Sequence, residues 1–158
     1  MKRKLLSLFL CFIIVASVFV SPVSAASPVS SKIISREVTY YPDGTYLVTE
    51  ITQSTPTVSA RASTQYTSGS KTTSMYSTSG VKIFSLTVSG SFTYNGKTSE
   101  AISARYSYSI YDNYWSFNNG NATCSGRTAQ ATATFRSTHA LQKTLTVSLS
   151  CDIDGVLT

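Results

Sequence analysis

One histidine and seven acidic side chains are all that this chain of 158 residues offers for acid–base chemistry. A Ser–His–Asp site would have to use His139, and no Gly-x-Ser-x-Gly turn presents a serine to it. His139 stands among polar neighbours in Ser137–Gln142, a stretch that reads as an exposed connection. One histidine is too few for a histidine-based zinc centre. Asp152-Ile153-Asp154-Gly155 matches the opening of a calcium loop, but that loop needs a glutamate well beyond its glycine, and none follows. No spacing singles out a carboxylate pair for glycoside hydrolysis. These absences point to a protein that is not an enzyme and needs no cofactor or metal.

Binding chemistry has better material. Tyr111, Asp112, Asn113, Tyr114 and Trp115 place three aromatic rings beside two polar side chains. Flat rings with adjacent hydrogen-bonding groups suit a sugar, which offers apolar C–H faces and hydroxyls. A core role competes for Trp115, because β-sandwiches commonly bury a tryptophan. Thirteen basic residues against seven acidic give a net charge of +6, yet the ten beyond Lys2, Arg3 and Lys4 are scattered and form no patch for nucleic acid.

The first 25 residues have the form of a secretory signal. Lys2, Arg3 and Lys4 precede an apolar run from Leu5 to Val20, and Val23-Ser24-Ala25 offers small residues for cleavage. The apolar run is short for a membrane span. The expectation is cleavage after Ala25, secretion, and no stable membrane anchor afterwards. Half of the net positive charge leaves with the signal. Cys124 and Cys151 then remain in an oxidising compartment, where two cysteines make one bridge. Such a bridge would contribute about 3–4 kcal/mol.

The elements that must position these groups are strands. Residues 84–94 read Phe-Ser-Leu-Thr-Val-Ser-Gly-Ser-Phe-Thr-Tyr, with apolar residues or glycine at even positions and hydroxyl residues at odd ones. That is the period of a strand with one face in a core. Residues 26–32 read as a disordered lead. Ile33–Tyr41 and Thr45–Gln53 flank Pro42-Asp43-Gly44, which predicts a hairpin pairing Tyr40 with Tyr46, Val38 with Val48, and Arg36 with Glu50. Gln53–Ser70 reads as a loop or an irregular edge strand, and Lys71–Thr78 as a strand. After Asn95-Gly96, the parity of Thr98–Ile110 favours pairing Val88 with Ile102, Leu86 with Ala104, and Phe84 with Tyr106. Asn118–Asn121 reads as a turn, and Ala122–Arg136 as one long strand bulged near Gly126. In the last strand Leu145, Val147, Leu149 and Cys151 alternate with polar residues, and the chain trails off from Asp152.

About seven short strands without helical periodicity predict an all-β domain over 33–158. The expected form is an antiparallel two-sheet β-sandwich of immunoglobulin-like proportions. Gly69-Ser70-Lys71-Thr72, Ser89–Gly96, Trp115 and Leu149-Ser150-Cys151 together resemble a group of small secreted proteins of Gram-positive bacteria with no assigned function. The resemblance covers about residues 69–158. In that group a cysteine follows the Tyr-Asn-Gly turn, where this chain has Ala101. The resemblance implies secretion and a β fold, and it carries over no catalytic residue.

The expected function is a secreted, non-catalytic binding protein for a glycan, the cell envelope or a protein. The alternative is a secreted antimicrobial or pore-forming polypeptide, because Phe84–Tyr94 and Thr98–Ile110 also have the form of a transmembrane β-hairpin.

Overall fold

The computed structural model describes residues 31–54 and 64–158. The expected signal peptide, residues 26–30 of the lead and residues 55–63 lie outside the described residues. The described chain is all-β. A five-stranded sheet runs in the order β1 (Ser31–Tyr40), β2 (Tyr46–Ser54), β3 (Gln65–Tyr76), β4 (Lys82–Tyr94), β5 (Ser99–Ile110). A three-stranded sheet holds β6 (Trp115–Ser125), β7 (Thr128–Ser137) and β8 (Gln142–Ser150). Each strand pairs antiparallel with its sequence neighbour, so both sheets are meanders and neither has a crossover.

The sheets pack face to face. The even face of β4 supplies Phe84, Leu86, Val88 and Phe92, all with no exposed surface. Across the core β7 presents Ala129, Ala131, Ala133 and Phe135, and β8 presents Leu145, Val147 and Leu149. The large side chains of β4 thus meet the short alanines of β7, flanked by the larger residues of β8. Phe84 stacks on Phe135 with ring centroids 4.2 Å apart, and Trp115 leans on the same ring at 5.0 Å. All ten residues of β1 are exposed, so this strand extends the large sheet beyond the small one.

The first hairpin has the expected register, with Tyr40, Val38 and Arg36 opposite Tyr46, Val48 and Glu50. Arg36 Nε lies 3.5 Å from Glu50 Oε1. Gly44 adopts φ 81°, and Asp43 Oδ1 accepts from Thr45 N at 2.9 Å. The Tyr40–Tyr46 pair continues into Tyr76, which stacks on Tyr46 at 4.9 Å.

Six expectations are corrected. Ser31 and Lys32 pair with Ser54 and Gln53, so β1 begins inside the stretch expected to be a lead. Residues 65–70, expected as loop or irregular edge strand, belong to β3: residues 65–68 pair with β4 alone, and Gly69 and Ser70 are flanked by both β2 and β4. The β4–β5 register differs by four residues: Val88 faces Tyr106, Leu86 faces Tyr108, and Phe84 faces Ile110. The cause is local. Asn95 Oδ1 accepts from Lys97 N at 2.9 Å and from Thr98 N at 2.8 Å, which makes a four-residue loop rather than a three-residue one. Ile102 then bulges out of the ladder, so Ala101 takes the inward position and Ile102 is exposed.

The small sheet departs in a similar way. Asn118–Asn121 is not a turn: β6 runs through it with a bulge between Phe117 and Asn119. The chain reverses instead at Gly126, which adopts φ 52°. The expected long strand is therefore two strands, and the total is eight. Finally, the end of the chain does not trail off. Asp152 Oδ1 accepts from Asp154 N and Val156 N at 2.9 and 2.8 Å, turning the chain so that Leu157 bridges to Cys151 and is buried.

Candidate functional site

The two cysteines do not form the expected bridge; both are free thiols. Cys124 pairs with Ala129, and Ala129 pairs with Leu149, so β7 separates the two cysteines. Two strand spacings amount to about 10 Å, beyond the Cα separation of under about 7 Å that a disulfide tolerates. Cys124 lies exposed on the edge strand β6, whereas Cys151 is buried and its Sγ donates to Asp152 O at 3.4 Å. Burial pushes the Cys151 thiol up to about 11, with the Asp152 charge adding to the effect.

The aromatic stretch is divided by the passage from one sheet to the other. Tyr111 and Asp112 donate from their backbone N–H groups to Ile83 O, which anchors the bend to β4. Tyr111 is 56 % exposed and falls on the outer face of the large sheet, with Lys82 Nζ 4.6 Å from its ring centroid. The Ser85 hydroxyl, followed by Lys82 and Ser109, stabilises its phenolate and lowers its pKa below the usual tyrosine value. Asp112 Oδ1 accepts from Tyr114 N at 2.9 Å, so its carboxylate is used in shaping the bend. Asn113 is exposed at the tip. Tyr114 is 59 % exposed and lies beside the β7–β8 turn of the small sheet, 6.1 Å from the ring of His139. Trp115 packs against Phe84 and serves the core. The five residues therefore do not converge on one surface. His139 is exposed in the β7–β8 turn, with Thr138 Oγ1 3.4 Å from its Nδ1.

A different surface is concave. On the outer face of the large sheet, Thr52, Ser70, Ser89 and Arg105 lie in one row across β2, β3, β4 and β5. Ser68, Ser91 and Ser103 form the next row. Together with their neighbours they line a trough of about 440 Å³, within the range of small-ligand sites. Two glycines form its floor, Gly69 and Gly90, paired across β3 and β4. A Cβ at Gly90 would stand 2.9 Å from Ala129 Cβ, and one at Gly69 would collide with Leu157 and with Thr52 O. The sheet dips towards the core there because no side chain holds it off, and its outer surface is hollowed.

The hydroxyls of this trough differ from those that pair across strands elsewhere on the two sheets. On the outer face of the small sheet they satisfy each other across strands: Thr128 with Ser150 at 2.8 Å, Thr132 with Thr146 at 3.2 Å, Thr134 with Thr144 at 3.0 Å. On the large sheet Thr72 and Thr87 pair likewise at 2.8 Å. Among the described residues, the side chains of Thr52, Ser68, Ser70, Ser89, Ser91 and Ser103 make no such bond. Among the described residues they have no side-chain partner, and Arg105 lines the same trough.

Sequence reasoning assigned the odd positions of residues 85–93 to a solvent face and stopped there. It placed Ser68 and Ser70 in a loop or an irregular edge strand, and its register put Arg105 beside Ser85. The signal that existed was the run of serine and threonine at alternate positions on three stretches. Known protein families, curated proteins and solved structures yield no match to this chain.

Proposed function

We propose that this is a secreted, non-catalytic carbohydrate-binding protein, and that the glycan lies in the hydroxyl-lined trough on the outer face of the large sheet. The observation that carries this reading is a trough lined by serine and threonine hydroxyls that make no bond among the described residues, whereas four outer-face pairs elsewhere bond across strands. A sugar presents both donors and acceptors, as does each of these hydroxyls. Secretion rests on residues 1–25 and their signal-like pattern. A non-catalytic role agrees with His139, the only histidine, standing exposed in a turn. It also agrees with Asp43, Asp112 and Asp152 each spending a carboxylate oxygen on a backbone N–H.

The membrane-hairpin alternative has less support. It would present the even face of β4 to lipid, and in this fold that face packs on β7 and β8.

The test is a glycan array and washed cell envelopes probed with the chain from Ala26, beside the variant Ser89→Trp. The indole fills the trough from an exposed position without touching the core. Binding by the parent and its loss in Ser89→Trp, at unchanged melting temperature, is the expected result. Equal binding by both would remove the trough from the function, and failure of the parent to bind any glycan would end the carbohydrate reading.

A further inference from the structure

We infer that the trough selects acidic glycan chains, with Arg105 receiving a carboxylate or phosphodiester group; this rests on the carbohydrate reading above. Arg105 stands directly opposite Ser89, and Ser103 and Ser107 flank it on β5. All seven acidic side chains of the protein fall within the described residues, and none lines the trough. Glu50 is engaged by Arg36 on the same sheet. Asp43, Asp112 and Asp152 are held in their own turns. No described carboxylate forms an ion pair with Arg105.

The surroundings of this guanidinium are hydroxyls, which solvate a cation but do not neutralise it. A neutral sugar would do the same and leave the charge unmatched. An acidic group can take two parallel N–H donors from the planar guanidinium, and the geometry is the same for carboxylate and phosphate. The adjacent Ser89 hydroxyl can donate to its remaining oxygens. The row continues across Ser70 to Thr52, three strand spacings from Arg105, or about 14 Å. That is long enough to hold neighbouring sugar or polyol units of the same chain by their hydroxyls. The ligand is thus a polyhydroxylated polymer carrying spaced anions, and the anion fixes its position in the trough.

The experiment uses three polymers: polygalacturonate, the same polymer fully methyl-esterified, and poly(glycerol phosphate). Binding is measured with the parent chain and with Arg105→Gln, whose fold is checked by its melting temperature. The parent should bind at least one acidic polymer about ten-fold or more tighter than the ester, the scale of a charge-assisted hydrogen bond, and added salt should narrow the gap. Arg105→Gln should erase the preference. The two acidic polymers tell carboxylate from phosphodiester. Equal binding of acid and ester, or a preference that survives Arg105→Gln, overturns the inference. If glycan binding then still depends on Ser89, the carbohydrate reading stands without it; if the parent binds no polymer and no array glycan, both fall.

Discussion

Replacing Leu86 by alanine tests the link between strand parity and the core. Leu86 has no exposed surface and lies at the middle of β4, on the face turned to the small sheet. Truncating a buried leucine costs about 2–5 kcal/mol, the cost growing with the cavity left behind. Three of the β7 side chains across the core are alanines, Ala129, Ala131 and Ala133, too short to reach into that cavity. The upper part of the range is therefore expected, about 3–5 kcal/mol, against a total stability of about 5–15 kcal/mol. For a domain of this size each kcal/mol lowers the melting temperature by about 3–5 °C, so a fall of roughly 10–20 °C should be seen. The control is Ser89→Ala, three residues along on the outer face, where the hydroxyl makes no bond among the described residues. Its effect should stay within about 0.5 kcal/mol. Thermal and urea melts followed by circular dichroism give both values. A fall of under about 1 kcal/mol in Leu86→Ala, or equal falls in the two variants, would refute the reading of 84–94 as a core-facing strand.

Other consequences concern the thiols and the end of the chain. In the chain from Ala26, a thiol reagent should titrate one cysteine, Cys124, when folded and two after denaturation; no free thiol in the denatured chain would restore the bridge that the strand order argues against. Cys151 also gives stability a pH dependence. Its pKa is raised from 9.0 to about 11, so between these values the folded protein holds a proton that the unfolded chain has released. Stability is therefore retained below pH 9.0 and falls as pH rises towards about 11. A Cys151→Ala variant should show a shallower decline in melting temperature over that window, and an identical decline would exclude the thiol as its source. Asp152→Ala removes the acceptor of two backbone N–H groups and should cost about 1–3 kcal/mol. Amide exchange at Leu157 and Thr158 should quicken more than at the centre of β7; uniform protection in the variant would show that the turn does not depend on this carboxylate.

Much of the architecture was legible because strand parity is a local property. The alternation in 84–94, in 129–135 and in 145–151 identified core faces that the structure buries, since burial on one side of a pleat imprints a period of two on the residues. The first hairpin was readable to its register, because Pro42-Asp43-Gly44 sets the loop length and the cross-strand pairs agree with it. The second was not. Parity restricts a register only to steps of two, and the choice among them fell to hydrogen bonds of Asn95 and to a bulge at Ile102 that no periodicity announces. That four-residue difference moves Arg105 from beside Ser85 to beside Ser89, and so into the trough. Gly126 was recognised as a break, but whether a glycine bulges a strand or reverses it depends on the strand it finds as a partner. The cysteines suggested a bridge by count and compartment, whereas bonding requires proximity, and β7 lies between them. Sequence by itself determined which faces of the strands are apolar and which carry hydroxyls. Only the tertiary structure decided that three hydroxyl faces align over two glycines, because a surface shared by distant strands exists only once their registers are set.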